Sequence, residues 1–410
     1  MKHTFFIILL MSVIIGFPSC EIVDNNEDTH IMNKHQAYLP LSEICFLLSE
    51  IPITHEQVRE VYDAVTASLE NGYDEEYTMK NLFSAPGAGV GDKMTKATKG
   101  YDVPLSALIE EHIRNIKTTK SSVSMTVDRL GIDGFLCALQ DSDIQIYWPF
   151  SENHAADKLP IITFDPEDGS DVNIGYRLID TGDGFRDVEE VVVDEEIAEE
   201  YPVWVVNRNS DAEYTSLEML RREDPEWGEG GGNIIVNPER SIRTRSGTQN
   251  TFKTLILKDF TMNRNYDSWF AGASEFFVKV GSVEDFTAST EAELRLYTPS
   301  VTDFMIVVRR NQKGKPLPFN AVLVSDWSDQ MTHCAFMITE DDGGTVTTWD
   351  CKALVRVASK SYGVEISIPF NSRDDVVWRG QIASTWLEKN SAQKAHFGDV
   401  DLTFEVVEYD

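Results

Sequence analysis

A chain of 410 residues, 42% hydrophobic and 10% aromatic, has apolar material for two or three packed cores, which excludes wholesale disorder. Lys and Arg number 36 against 68 Asp and Glu, a formal net charge of −32. A surface this negative repels a phosphate backbone, so nucleic-acid binding is excluded, while solubility and the attraction of cations are favoured.

The chain begins with Met1-Lys2-His3, a short basic start. Phe5 to Phe17 is then almost wholly apolar, and Gly16-Phe17-Pro18-Ser19-Cys20 closes the segment with small residues before a cysteine. The apolar run is too short to cross a bilayer, which takes about 20 residues, and its order is that of a cleaved secretory signal. The segment resembles the leader of a bacterial lipoprotein, in the loose form used by the Bacteroidota. That resemblance implies removal of residues 1–19, acylation of the Cys20 thiol, and a lipid-anchored, surface-exposed location at the outer membrane. Glu21, Asp24, Glu27 and Asp28 follow within a tether spanning 20–40. They form either a surface-export tract of the kind placed behind the acylated cysteine or a solvated spacer. Several buried acyl chains hold firmly where one is marginal, at about 0.8 kcal/mol per CH₂.

Residues 41–120 read as a helical segment. Leu41, Ile44, Cys45, Leu47 and Leu48 make one apolar face. Thr54 with Gln57 has the spacing of a capping box, and Val58, Val61, Tyr62, Val65 and Leu69 then recur at helical intervals until Asn71-Gly72. Ser84 to Gly91 is glycine-rich but lacks the Gly-Lys-Ser/Thr ending of a phosphate loop. Pro104–Ile116 predicts a third helix, with His112 at the edge of its apolar face.

Residues 121–207 change texture and predict a β-rich domain. Ser122–Val127 and Asp143–Trp148 alternate, while Pro160–Phe164 and Gly175–Ile179 are strand-sized. Pro202–Val206 is apolar throughout, which predicts a strand buried on both faces. The acidic run Glu189–Glu200 before it reads as a solvated face. From 208 to 250 the periodicity weakens into a linker rich in Gly, Arg and Ser. Residues 251–410 then carry strand-sized runs about ten residues apart, among them Phe252–Leu257, Glu275–Val280, Leu294–Tyr297, Cys334–Thr339 and Leu402–Val407, the pattern of an antiparallel β-sandwich. The predicted class is α+β, mainly β: N-terminal helices packed on a β-rich domain, followed by a C-terminal sandwich.

Five cysteines include Cys20; Cys45 and Cys137 lie in apolar contexts and read as core, and Cys334 and Cys351 either pair across a hairpin or stay free. Candidate chemistry gathers in the C-terminal part. Asn265-Tyr-Asp-Ser-Trp-Phe-Ala-Gly-Ala-Ser-Glu275 lies between two strands; Thr339-Glu-Asp-Asp-Gly-Gly344 and Ser372-Arg-Asp-Asp-Val-Val-Trp378 follow. Acids gathered at one end of a sandwich could supply the roughly six to eight oxygens that calcium takes. Acids before glycine are equally ordinary turn chemistry. The arrangement resembles the calcium-dependent, phospholipid-binding C-two domains, where an aspartate loop precedes a Ser-Asp-Pro-Tyr-Val-like strand start and an aspartate-rich loop comes late. The resemblance implies Asp267 and Glu275 as first-loop calcium ligands and Asp374 and Asp375 as late-loop ligands, with Asp341 and Asp342 as further candidates.

Tyr147, Trp148, Trp204, Trp269 and Trp349 could line a carbohydrate platform or fill the core. His-Glu-x-x-His, Gly-x-Ser-x-Gly and the dinucleotide fingerprint are absent from the sequence. The expected function is therefore non-enzymatic binding of a glycan, a protein or a host surface, assisted by calcium. The alternatives are a carboxylate-dependent hydrolase acting on polysaccharide or peptide, which needs two carboxyls about 5–10 Å apart, and a structural part of an envelope assembly.

Overall fold

A computed structural model describes residues 38–84, 101–115, 122–180, 186–211, 214–216, 218–219, 222, 233–236 and 252–409. The leader, Cys20 and the acidic tract lie outside the described residues.

The first helices follow from their apolar spacing. Helix α1 (Leu41–Glu50) buries Leu41, Ile44, Cys45, Leu47 and Leu48. Helix α2 (His55–Glu70) starts at a true capping box: the Thr54 N–H donates to Gln57 Oε1 at 2.8 Å, and Glu56 N–H donates to Thr54 Oγ1 at 3.2 Å. It stops where Gly72 takes φ +83°, a left-handed turn that a side chain resists. A short helix α3 (Met79–Leu82) follows, then α4 (Leu105–Asn115), which buries Leu105, Ile109 and Ile113. His112 sits at the edge of that face, its Nε2 3.4 Å from Glu50 Oε2.

The alternation at Ser122–Val127 does not make a strand. Residues Ser122–Leu130 form helix α5, and Ile132–Gln140 form α6. Val123, Val127 and Leu130 also recur at helical spacing, and six residues are too few to separate the two periods. Gly131, at φ +75°, makes the sharp turn between the helices.

One six-stranded sheet receives these helices. Its strands are β1 (Glu76–Thr78), β2 (Ile144–Tyr147), β3 (Ile161–Phe164), β4 (Asn173–Asp180), β5 (Arg186–Val193) and β6 (Val203–Arg208), in the order β1-β2-β6-β3-β4-β5. Only the β3–β6 pair is parallel. The helices pack on one face over Ile146, Trp148, Trp204 and Val206. Tyr147, Val203 and Val205 point to the other face, where a short helix α7 (Glu195–Glu200) and the side chains of Trp269 and Phe270 cover them. Strand β6 is thus buried on both sides, as its unbroken apolar run requires.

The rest of the chain runs β7 (Thr215–Ser216), β8 (Asn233–Val236), β9 (Phe252–Met262), β10 (Ser274–Ser282), β11 (Ser300–Val308), β12 (Leu317–Ser328), β13 (Met331–Glu340), β14 (Val346–Val357), β15 (Lys360–Asn371), β16 (Asp375–Ala383), β17 (Lys394–Phe397) and β18 (Val400–Tyr409). An antiparallel sheet ordered β15-β14-β13-β10-β11-β8-β7, with β16 also on β13, faces a four-stranded sheet ordered β12-β9-β18-β17. Inward residues of both, such as Phe276, Val278, Phe336 and Ile338 against Leu257, Phe260, Leu402 and Phe404, share one core in a sandwich-like arrangement.

Two sequence expectations change here. The 208–250 segment is more than a connector, because β7 and β8 extend the larger sheet beside β11. Leu294–Tyr297 is no strand: Glu291–Leu296 is a 3-10 turn, and Leu296 is 73% exposed, so no sheet partner fixes its backbone. Cys334 and Cys351 are both free thiols.

Gly175 marks the tightest packing on the six-stranded sheet. A Cβ there meets Val193 Cγ2 at 2.5 Å and Ile161 Cγ2 at 2.9 Å, both from fully buried side chains. Gly175→Ala is expected to lower unfolding stability by about 1–3 kcal/mol, read from the urea midpoint at unchanged m-value; an unaltered midpoint contradicts this packing.

Candidate functional site

The segment between β9 and β10 joins the two halves of the protein. Trp269 and Phe270 carry no exposed surface, their ring centroids 3.9 Å apart, and both sit on the six-stranded sheet. The Trp269 indole N–H donates to the Asp171 carbonyl at 2.9 Å. Asn207 on β6 donates from Nδ2 to the carbonyls of Phe270 and Ala271 at 3.0 and 2.7 Å. Gly272 has φ +123°, and a Cβ there would stand 3.1 Å from Asp74 Oδ2, the same oxygen that accepts the Ala273 N–H at 3.0 Å. Arg310 grips the other end. Its guanidinium donates to both carboxylate oxygens of Glu195, at 2.6 and 3.0 Å, and to the Asp267 carbonyl at 3.0 Å.

This pinning places two acids on the flanks of the loop. Asp267 precedes the aromatic pair and Glu275 follows it on β10. The adjacent strand β13 ends at Glu340, opposite Phe276, and the Asp341 N–H donates to the Glu275 carbonyl at 2.9 Å. One carboxylate oxygen each from Asp267, Glu275 and Glu340 lies within 4.8 Å of the other two. Glu340 is only 1% exposed. With both carboxyls ionised, no N–H or O–H among the described residues reaches Asp267 Oδ2 or Glu340 Oε1; a proton on one carboxyl bonds it to the other. A buried carboxylate oxygen left so must share a proton or meet a cation.

The remaining sequence candidates separate from this trio. Asp341 and Asp374 bond to one another and to Asn371, whose Nδ2 donates to Asp341 Oδ1 and whose backbone N–H donates to Asp374 Oδ2, each at 2.9 Å. Asp342 and Asp375 are exposed. Glu340 was not singled out from sequence because it ends a buried strand, although it directly precedes Asp341-Asp342. Asp74 and Glu75 were also missed; both are buried beside the loop, in the turn between α2 and β1. Three consecutive acids after a helix stop were the available signal.

Electrostatics confirm the crowding. Burial, then the neighbouring charges of Asp267, Asp74 and Asp341, hold the Glu275 carboxyl well above the ordinary carboxylate range. Burial raises Glu340 strongly, and its hydrogen bond to Asp267 adds to the rise. Burial pushes Asp267 up to about 6, although that same bond works against the rise. Asp374 is pushed up to about 7 by burial, with Asp341 adding to the rise and the Asn371 N–H opposing it. Glu75 is raised by burial and by Asp74 beside it. The aromatic candidates do not form an open platform: Tyr147, Trp148, Trp204 and Trp269 are buried, and Trp349, on β14, is partly buried.

These directions have a definite sign. With a chelator present, Asp267 and Asp374 keep protons in the folded state up to about pH 6 and 7, whereas unfolded aspartates lose them near about pH 4. The folded state then binds more protons than the unfolded one, and stability falls as pH rises from about 4 to about 7. Urea midpoints in chelator are expected to be higher at pH 5 than at pH 8, with Glu340→Gln flattening the difference. A higher midpoint at pH 8 contradicts the buried cluster.

No protein-family model matches this chain, and neither does any curated protein or solved structure.

Proposed function

We propose that this chain is a non-enzymatic binding protein, held at the outer surface of the outer membrane by lipid on Cys20. Its ligand is a polypeptide strand added to the free edge of β5. The lipid anchor rests on the leader sequence ending at Cys20.

One observation carries the binding reading. Among the described residues β5 pairs with β4 alone and is an end strand of its sheet. Ile174 and Val192 are directly opposite each other on this hairpin, and they are 48% and 62% exposed. Val172 and Val188 are exposed beside them. An unpaired edge with exposed β-branched side chains is a template for strand addition, a liability that proteins ordinarily blunt with lysine or proline. After Arg186, which opens the strand, the charges are Asp187, Glu189 and Glu190, all exposed, with Glu189 3.4 Å from Arg177 of β4. They repel a second copy of the same edge and select a partner strand with basic residues between apolar ones.

Surface plasmon resonance over immobilised peptides tests this. Peptides alternating valine and lysine are expected to bind, more weakly as salt rises, while peptides alternating valine and glutamate do not. Val188→Asp with Val192→Asp is expected to weaken binding at least tenfold without lowering the melting temperature. Equal capture of both peptides, or binding indifferent to that double change, contradicts the reading. Mass spectrometry of membrane-extracted protein is expected to find Cys20 as an acylated first residue; an unmodified first residue contradicts the anchor.

A further inference from the structure

We infer that Asp267, Glu275 and Glu340 form a binding site for one divalent cation, calcium, between the loop before β10 and the end of β13. This inference is independent of the strand-binding edge.

Geometry comes first. The three ligand oxygens lie within 4.8 Å of one another. Calcium–oxygen bonds are about 2.4 Å long, so oxygens bound to one ion stand no further apart than twice that length. The three separations fall within the limit that ligation of one ion sets.

Unmet demand comes second. Glu340 is 1% exposed, and its Oε1, like Asp267 Oδ2, has no donor among the described residues beyond a proton shared by these two carboxyls. No lysine or arginine among the described residues forms an ion pair with any of the three. Arg310 is committed to Glu195 and to the Asp267 carbonyl.

Preorganisation comes third. Glu275 is held in the β10–β11 ladder opposite Val307, and Glu340 lies between Phe276 of β10 and Asp375 of β16. Asp267 is fixed through its own carbonyl by Arg310. Ligands on ladders of this kind do not have to be ordered when the ion arrives, which saves affinity.

The donor set selects the ion. All three ligands are carboxylates, which favours hard cations over zinc or copper, whose sites recruit histidine or cysteine. Asp267 and Glu275 are half-buried as residues, and water would have to complete the roughly six to eight oxygens that calcium takes. Asp341 and Asp374 are occupied with Asn371 and are not ligands, and Asp342 and Asp375 are too exposed to belong to the closed side.

Isothermal titration of the purified, chelator-stripped full chain with calcium chloride tests the site. The expected result is one equivalent bound, with Glu275→Gln and Glu340→Gln each weakening binding at least tenfold and Asp342→Asn with Asp375→Asn changing it less than twofold. Circular dichroism checks that each variant is folded, and Glu275→Gln, half-buried, serves if Glu340→Gln is not. No saturable binding by the wild-type protein at millimolar calcium overturns the inference. So does undiminished binding in a folded Glu275→Gln variant, or a loss confined to the Asp342 and Asp375 pair.

Discussion

The insertion of Trp269 and Phe270 into the second face of the six-stranded sheet is the constraint on which the rest depends. That sheet has a central strand, Val203–Arg208, that is apolar on both sides, so one layer of helices cannot finish it. The aromatic pair supplies the missing cover. Burial of a large apolar side chain contributes about 1.5–3 kcal/mol, and both of these are fully buried. The same insertion fixes where the flanking Asp267 and Glu275 must go. Each unpaired buried carboxylate costs several kcal/mol, so the hydrophobic gain is spent in part on holding like charges together. A proton or a cation relieves that cost, and the two answers have opposite dependence on pH.

Much of the framework was legible because local chemistry and tertiary packing agree there. The Thr54–Gln57 cap, the buried face of Leu41–Leu48 and the two-sided burial of Pro202–Val206 all follow from side-chain period alone. Disagreement appears where a stretch is short. Ser122–Val127 satisfies two periods, and helix won because Leu130 continues the longer one. Leu294–Tyr297 has strand composition but no neighbour to pair with, so it turns instead. Asn233–Val236, only four residues inside a polar segment, becomes a strand because β11 offers a free edge.

The site was half legible for a related reason. Asp267 and Glu275 could be noticed because they bracket a conspicuous loop. Glu340 could not, because its importance comes from register: β13 pairs with β10 so that Glu340 faces Phe276, one residue from Glu275. Asp74 and Glu75 come from a turn almost 200 residues earlier in the chain, joined to the loop through the Ala273 N–H. Register and distant contact are tertiary facts that no local pattern carries.

The acidic centre is built on the loop before β10 and the end of β13, whereas the exposed edge belongs to the six-stranded sheet. The inferred cation would tie the loop before β10 to the end of β13, since Asp267, Glu275 and Glu340 come from those segments. Anomalous diffraction from crystals of the protein soaked in terbium, a calcium substitute, tests this most directly. The account predicts one strong peak bounded by the carboxylates of Asp267, Glu275 and Glu340. Empty density there, with Asp267 and Glu340 in direct hydrogen-bond contact in a terbium-saturated crystal, would contradict it.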